Sequence, residues 1–100
     1  MTREIEKLAS LARGATDVRA ILAERSSQHG EFTEHARVVQ LLKDIARTGS
    51  SWQDMTAAQR EAAEMILHKV ARAVCGNPNH KDHWDDIAGY ATLAADRVPA

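Results

Sequence analysis

A chain of 100 residues with 44% hydrophobic content has material for one modest core and not for two domains. Its 13 Lys and Arg balance 14 Asp and Glu to a formal net charge of −1, which excludes a bulk electrostatic drive toward nucleic acid or an anionic membrane. Cys75 is the single cysteine, so an intramolecular disulfide and a Cys-based zinc knuckle are excluded, and a reducing cytoplasm is the expected setting.

Ala, Leu, Glu, Arg, Gln and Met are abundant while aromatics make up 4% and prolines number 2, a balance that predicts an all-α fold. The expectation is a compact bundle of four main helices over about residues 16–98, with residues 1–14 as a helical extension. Residues 2–12 are expected to form a short helix carrying Ile5, Leu8 and Leu11. A second helix is expected from Thr16 as N-cap, with Val18, Ile21 and Leu22 on its apolar stripe, ending at Ser26–Gly30. The third begins near Thr33, carries Val38, Val39, Leu41, Leu42 and Ile45, and stops at the loop over residues 47–54.

Thr56 and Gln59 have the spacing of a capping box, which starts a long helix over 57–75. Gly76 and Pro78 close it. The last helix is expected over 82–97, opened by Asp82, Asp85 and Asp86, which complement the helix dipole, and closed by Pro99. No segment approaches about 18 apolar residues and the charged start lacks an apolar signal run, so no membrane partner is expected. A chain this short leaves much surface open, and a homodimer or higher homo-oligomer is the expected assembly.

Projected at about 100° per residue, the long helix gathers Ala62, Ala63, Ile66, Leu67, Val70, Ala73 and Val74 on one side. Glu61, Glu64, His68 and Arg72 share the other, at spacings that let one metal ion reach the first three. On the last helix Asp82, Asp85, Asp86 and Asp96 form one face, and Trp84, Ile87, Ala91, Ala94 and Val98 the other. Antiparallel packing of the two helices would set Glu64 and His68 opposite Asp82 and Asp86. The plainer readings stay open beside this one: a solvated helix face for Glu61, Glu64 and His68, and dipole compensation for the aspartates. His80 and His83 read as exposed loop histidines, Cys75 as a small buried hydrophobe, and Trp52 and Trp84 as packing anchors.

The runs His29-Gly30-Glu31-Phe32, Gln59-Arg60-Glu61-Ala62-Ala63-Glu64-Met65-Ile66, His68-Lys69-Val70-Ala71-Arg72 and Asp82-His83-Trp84-Asp85-Asp86-Ile87-Ala88-Gly89-Tyr90 resemble a phage and prophage family of small proteins. That family is in turn similar to the MazG-like, all-α nucleoside triphosphate pyrophosphohydrolases, in which an ExxE helix and an ExxD helix hold Mg²⁺. The resemblance covers roughly residues 16–97. It implies Glu61, Glu64 and Asp86, with Asp82 as a stand-in, as ligands of Mg²⁺ or Mn²⁺, to which the helix projection adds His68, and Glu61 or Asp85 would be the base that takes a proton from water. Lys69 and Arg72 would steady phosphate oxygens, and His29 and Phe32 would rim the base pocket of a nucleotide substrate. Where the pattern has Glu three positions before Asp86 this chain has His83, with Asp82 standing in, and Arg60 occupies the place of a paired glutamate. The expected activity is metal-assisted hydrolysis of the α–β phosphoanhydride of a nucleoside triphosphate, and its alternative is a catalytically inactive helical interaction or regulatory module. A DNA-binding role ranks below both, because Arg19, Arg25, Arg37, Lys43 and Arg47 are interspersed with Glu24, Glu34 and Asp44 and form no basic stripe.

Overall fold

The computed structural model describes residues 15–99, so the short helix expected over 2–12 lies outside the described residues. Four α-helices follow in order: α1 (Ala15–His29), α2 (Phe32–Arg47), α3 (Ala57–Cys75) and α4 (Lys81–Ala95), with a single 3-10 turn at Trp52–Asp54 between α2 and α3. No strand occurs among the described residues, and the all-α helical bundle expected from composition is what forms. No helix among them is long and apolar enough to cross a membrane.

Local chemistry sets the helix limits. The Thr56 hydroxyl accepts from the Gln59 amide at 3.1 Å, and the Gln59 side chain accepts from the Thr56 amide at 2.9 Å, so the capping box is complete. Two donors that a helix start leaves orphaned are thereby satisfied. Upstream, Arg60 reaches back to the 3-10 turn: it donates to the Trp52 and Gln53 carbonyls at 3.3 and 3.0 Å, with its guanidinium 5.9 Å from the Trp52 ring centroid. The cap of α2 is Glu31, whose carboxylate accepts from the amides of Thr33 and Glu34, each at 2.9 Å. Those backbone bonds hold the Glu31 carboxyl below its ordinary range. Thr16 lies within α1, not at its N-cap, and α4 starts one residue earlier than expected and ends at Ala95.

Helix α3 is central and packs against α4 most extensively, then α2, then α1. Its buried positions are alanines, Ala62, Ala71 and Ala73. Nine residues separate Ala62 from Ala71, which is about 180° around a helix turning about 100° per residue, so α3 is covered on two opposite sides. A one-sided apolar stripe is therefore the wrong picture for this helix: Val74, assigned to that stripe, is 67% exposed, while the Glu64–His68–Arg72 side is half-buried.

The flanking helices turn histidines inward. On α2 the covered stripe is His35, Val39, Leu42 and Ala46, leaving Leu41 and Ile45 at the surface. On α4 it is His83, Ile87, Tyr90 and Ala94, at spacings of four, three and four residues. Ile87 and Ala94 lie on the face expected, but His83, only 1% exposed, and Tyr90 complete it in place of Trp84, which is 51% exposed, and Ala91. The ring of Trp84 instead closes the α3–α4 loop by donating to the Pro78 carbonyl at 2.8 Å.

Two glycines let α1 and α3 cross closely at their C-termini. Gly30 has φ +89°, and a Cβ there would stand 2.5 Å from the Cys75 carbonyl oxygen; one on Gly76 would stand 2.6 Å from the Gly30 nitrogen. The crossing is stitched by the Gln28 carbonyl, which accepts from the Asn77 amide at 3.0 Å and from His83 Nε2 at 2.8 Å. Gly30→Ala combines a left-handed backbone with a backbone clash and is expected to lower unfolding free energy by about 2–4 kcal/mol. Gly89→Ala on α4, where an added Cβ meets nothing within 4 Å, is expected to be neutral or to stabilise by about 0.5–1 kcal/mol. Urea unfolding of both variants checks this; a loss below about 1 kcal/mol at Gly30 would contradict the close crossing.

Candidate functional site

The acidic residues singled out in the sequence do not converge. Glu64 pairs with Arg47 at the end of α2, and Asp86 pairs with Lys69 Nζ at 2.7 Å. Asp85 meets Lys81 at 2.6 Å within α4, and Asp82 lies 3.7 Å from His80 Nε2. Glu61 is exposed. The reason is helical phase: Glu64 and Lys69 are five residues apart, about 140° around α3, so Glu64 looks toward α2 while Lys69 meets Asp86 on the α4 side. Glu64 and Asp86, expected to face each other, are thus each paired with a different cation. Among the described residues, no three His, Cys, Asp or Glu side chains stand where they could share a metal ion.

What converges instead is a cleft of about 640 Å³ between the end of α1, the start of α2 and the second half of α3. Its walls include Arg25 and His29 from α1, Phe32 and His35 from α2, and His68 and Arg72 from α3. Four of these, His29, Phe32, His68 and Arg72, are residues the sequence marks as candidates; Arg25 and His35 are additional. A second concavity of about 650 Å³ is lined by α4 alone, and its two carboxylates, Asp85 and Asp86, are held by Lys81 and Lys69.

The cleft forms because α1 stops at His29 and the positive φ of Gly30 swings the chain into Glu31, which caps α2. The rings of His35 and His68 then meet edge to face, with centroids 4.7 Å apart and planes at 86°. Behind His29 lie His83 and His80, at centroid distances of 5.2 and 5.9 Å, themselves 4.8 Å apart. All five histidines of the chain are thus engaged with one another in two groups that border the cleft.

Electrostatics keep three of these rings uncharged at neutral pH. Burial, then the Arg72 guanidinium, then His83, His80 and Lys69 depress His29 to about 4. His68 is likewise depressed to about 4 by burial, then Arg72, His35, Lys43 and Lys69. Burial lowers His35, opposed in part by a hydrogen bond with the His68 backbone, with Arg72 adding a smaller lowering. Arg72 is the cation common to all three. The cleft therefore presents guanidinium charge among neutral imidazoles, each of which offers one donor and one acceptor, with the Glu31 carboxylate, held by its backbone bonds at the start of α2, also on its lining. Nδ1 of His29 and Nε2 of His35 are buried with no hydrogen-bond partner. Desolvation and the Glu34 carboxylate push the thiol of Cys75, close by, up from its ordinary value, which disfavours the thiolate.

The chain belongs to the family described as Domain of unknown function (DUF6378), whose model matches residues 15–98. No curated protein and no solved structure matches the chain.

The histidine shifts predict a pH dependence of stability. His29 and His68 have folded values near 4 against 6.5 for the free side chain, so the unfolded chain takes up protons first. The stability they confer is complete above about pH 6.5 and is lost as pH falls toward about 4. Asp86, lowered from 3.8, and Glu31, lowered from 4.5, confer stability that is full above those values and is lost as pH falls through them, so the decline between about pH 6.5 and 4.5 is chiefly that of the histidines. Thermal unfolding across that range is expected to show a steadily falling Tm; a Tm constant from pH 7 to 4.5 would contradict the neutral, buried rings.

Proposed function

Within a family of unknown function, we propose that this chain is a nucleotide-binding helical module that seats phosphate oxygens against Arg72 and Arg25 in the α1–α2–α3 cleft. The observation that carries the reading is the position of Arg72, half-buried and flanked by three neutral imidazoles in a concavity of nucleotide size. A guanidinium in partly desolvated surroundings binds phosphate more strongly than one in water, and its planar fork matches two oxygens at once. Clefts of about 300–1,000 Å³ with a few convergent polar groups are the usual form of small-molecule sites. Phe32, at the rim, supplies an apolar surface for a base. The likeness of the sequence to MazG-like nucleoside triphosphate pyrophosphohydrolases supports the same ligand class.

The hydrolytic half of that likeness finds less support. Metal-assisted attack on the α–β phosphoanhydride would call on Glu61, Glu64, Asp82 and Asp86 around Mg²⁺ or Mn²⁺. Glu64 and Asp86 face different neighbours, and each is already neutralised by a cation. A divalent ion would have to displace Arg47 and Lys69 and also draw the carboxylates together. The residues present do not fit the metal, and the reading preferred here is binding without metal-dependent hydrolysis, a regulatory or interaction role for the scaffold.

Calorimetric titration with ATP, GTP, UTP and CTP, together with a pyrophosphate-release assay in Mg²⁺ and in Mn²⁺, tests this. At least one nucleotide is expected to bind, Arg72→Ala is expected to weaken it by about tenfold to a hundredfold, and no pyrophosphate should appear. Failure of all four to bind would remove the proposal. Pyrophosphate release that disappears in Glu64→Gln and Asp86→Asn would restore the hydrolase.

A further inference from the structure

Most buried polar groups in a folded protein have a partner, so two orphaned ring nitrogens in one cleft call for an explanation. His29 Nδ1 and His35 Nε2 are such a pair, and both rings line the cleft. His35 is 7% exposed. Its ring is fixed in orientation by the edge-to-face contact with His68 at 4.7 Å. A side chain locked in this way is already set for a ligand and loses little freedom on binding.

We infer that His35 determines which nucleotide the cleft accepts, by a hydrogen bond between its Nε2 and the polar edge of the base, with His29 Nδ1 as a second contact. The inference rests on the nucleotide-binding reading of the same cleft. The chemistry divides the ligand: phosphate oxygens, being charged, go to the guanidinium side, whereas an uncharged donor or acceptor suits the uncharged edge of a heterocycle. Phe32 and Leu22, 78% and 52% exposed at the same opening, provide apolar cover for the faces of the base. A site that leaves a buried nitrogen waiting discriminates well, because a base that cannot complete the bond leaves the nitrogen dry and unpaired.

Binding of the four nucleoside triphosphates and of inorganic tripolyphosphate to the wild-type chain and to His35→Phe tests the inference. The variant keeps an aromatic ring and removes the nitrogen. The expected result is a loss of about tenfold for the preferred nucleotide, a narrowing of the differences among the four bases, and a change below about twofold for tripolyphosphate. Equal weakening of nucleotide and tripolyphosphate, or no change in either, would overturn the assignment. Should His35→Phe fail to fold, the ¹⁵N resonance of His35 Nε2 in the wild-type chain decides the matter. It is expected to move on adding the preferred nucleotide and to stay in place with tripolyphosphate; an Nε2 unmoved at nucleotide saturation overturns the inference. A wild-type chain that binds tripolyphosphate as tightly as any nucleotide also overturns it while leaving phosphate binding intact. One that binds none of the five probes removes the nucleotide reading itself.

Discussion

The carbonyl of Gln28 is the point on which the arrangement depends. It accepts the Asn77 amide and the His83 ring together, and so ties the end of α1 to the α3–α4 loop and to the first turn of α4. A carbonyl oxygen can only accept, so His83 Nε2 carries the proton in this bond. The Gln28 and Asn77 side chains add a further hydrogen bond of 3.1 Å at the same place. The contact requires backbone to approach backbone, which Gly30 and Gly76 allow and a Cβ on either would block. Because His29 follows Gln28 directly, fixing that carbonyl also fixes where the ring of His29 enters the cleft.

From that crossing the electrostatic division of the molecule follows. Helix α3 is covered on opposite sides, and its polar residues are sorted between them. Toward α2 and α1 it sends Glu64, His68 and Arg72; toward α4 it sends Lys69. Asp85 and Asp86 of α4 are matched by Lys81 on their own helix and Lys69 on α3. The guanidinium of Arg72 lines the cleft with His29, His35 and His68, rings that burial favours in the neutral form. Positive charge in a concave, partly desolvated setting attracts anions, whereas carboxylates already paired with lysine and arginine hold little attraction for a further cation.

Much of the scaffold was legible in the sequence because capping and breaking residues act locally. Thr56 with Gln59, and Gly76 with Pro78, delimit α3 without reference to any neighbour. Gly30 likewise marks the α1–α2 corner, where its positive φ is required. The packing faces were less legible. Hydrophobic periodicity ranks histidine as polar, so His35 and His83 were not assigned to the interior even though each heads a stripe at helical spacing. For α3 the pattern failed for a different reason: a helix with neighbours on opposite sides has no single apolar face, and its closest contacts are made by alanines.

The candidate site was legible in part and under another heading. His29, Phe32, His68 and Arg72 were visible as chemistry-bearing residues, yet the acids drew attention to the α3–α4 side, and only the phase of α3 separates Glu64 from Asp86. In the sequence Arg25 reads only as one of several scattered basic residues. The most direct test of where this protein binds its ligand is a nucleotide titration of the ¹⁵N-labelled chain, following backbone amide shifts without added metal. The largest shifts are expected over residues 25–35 and 68–72, around the histidine and arginine cleft. Largest shifts at 61–64 and 82–86 instead would contradict that location and return the site to the carboxylates.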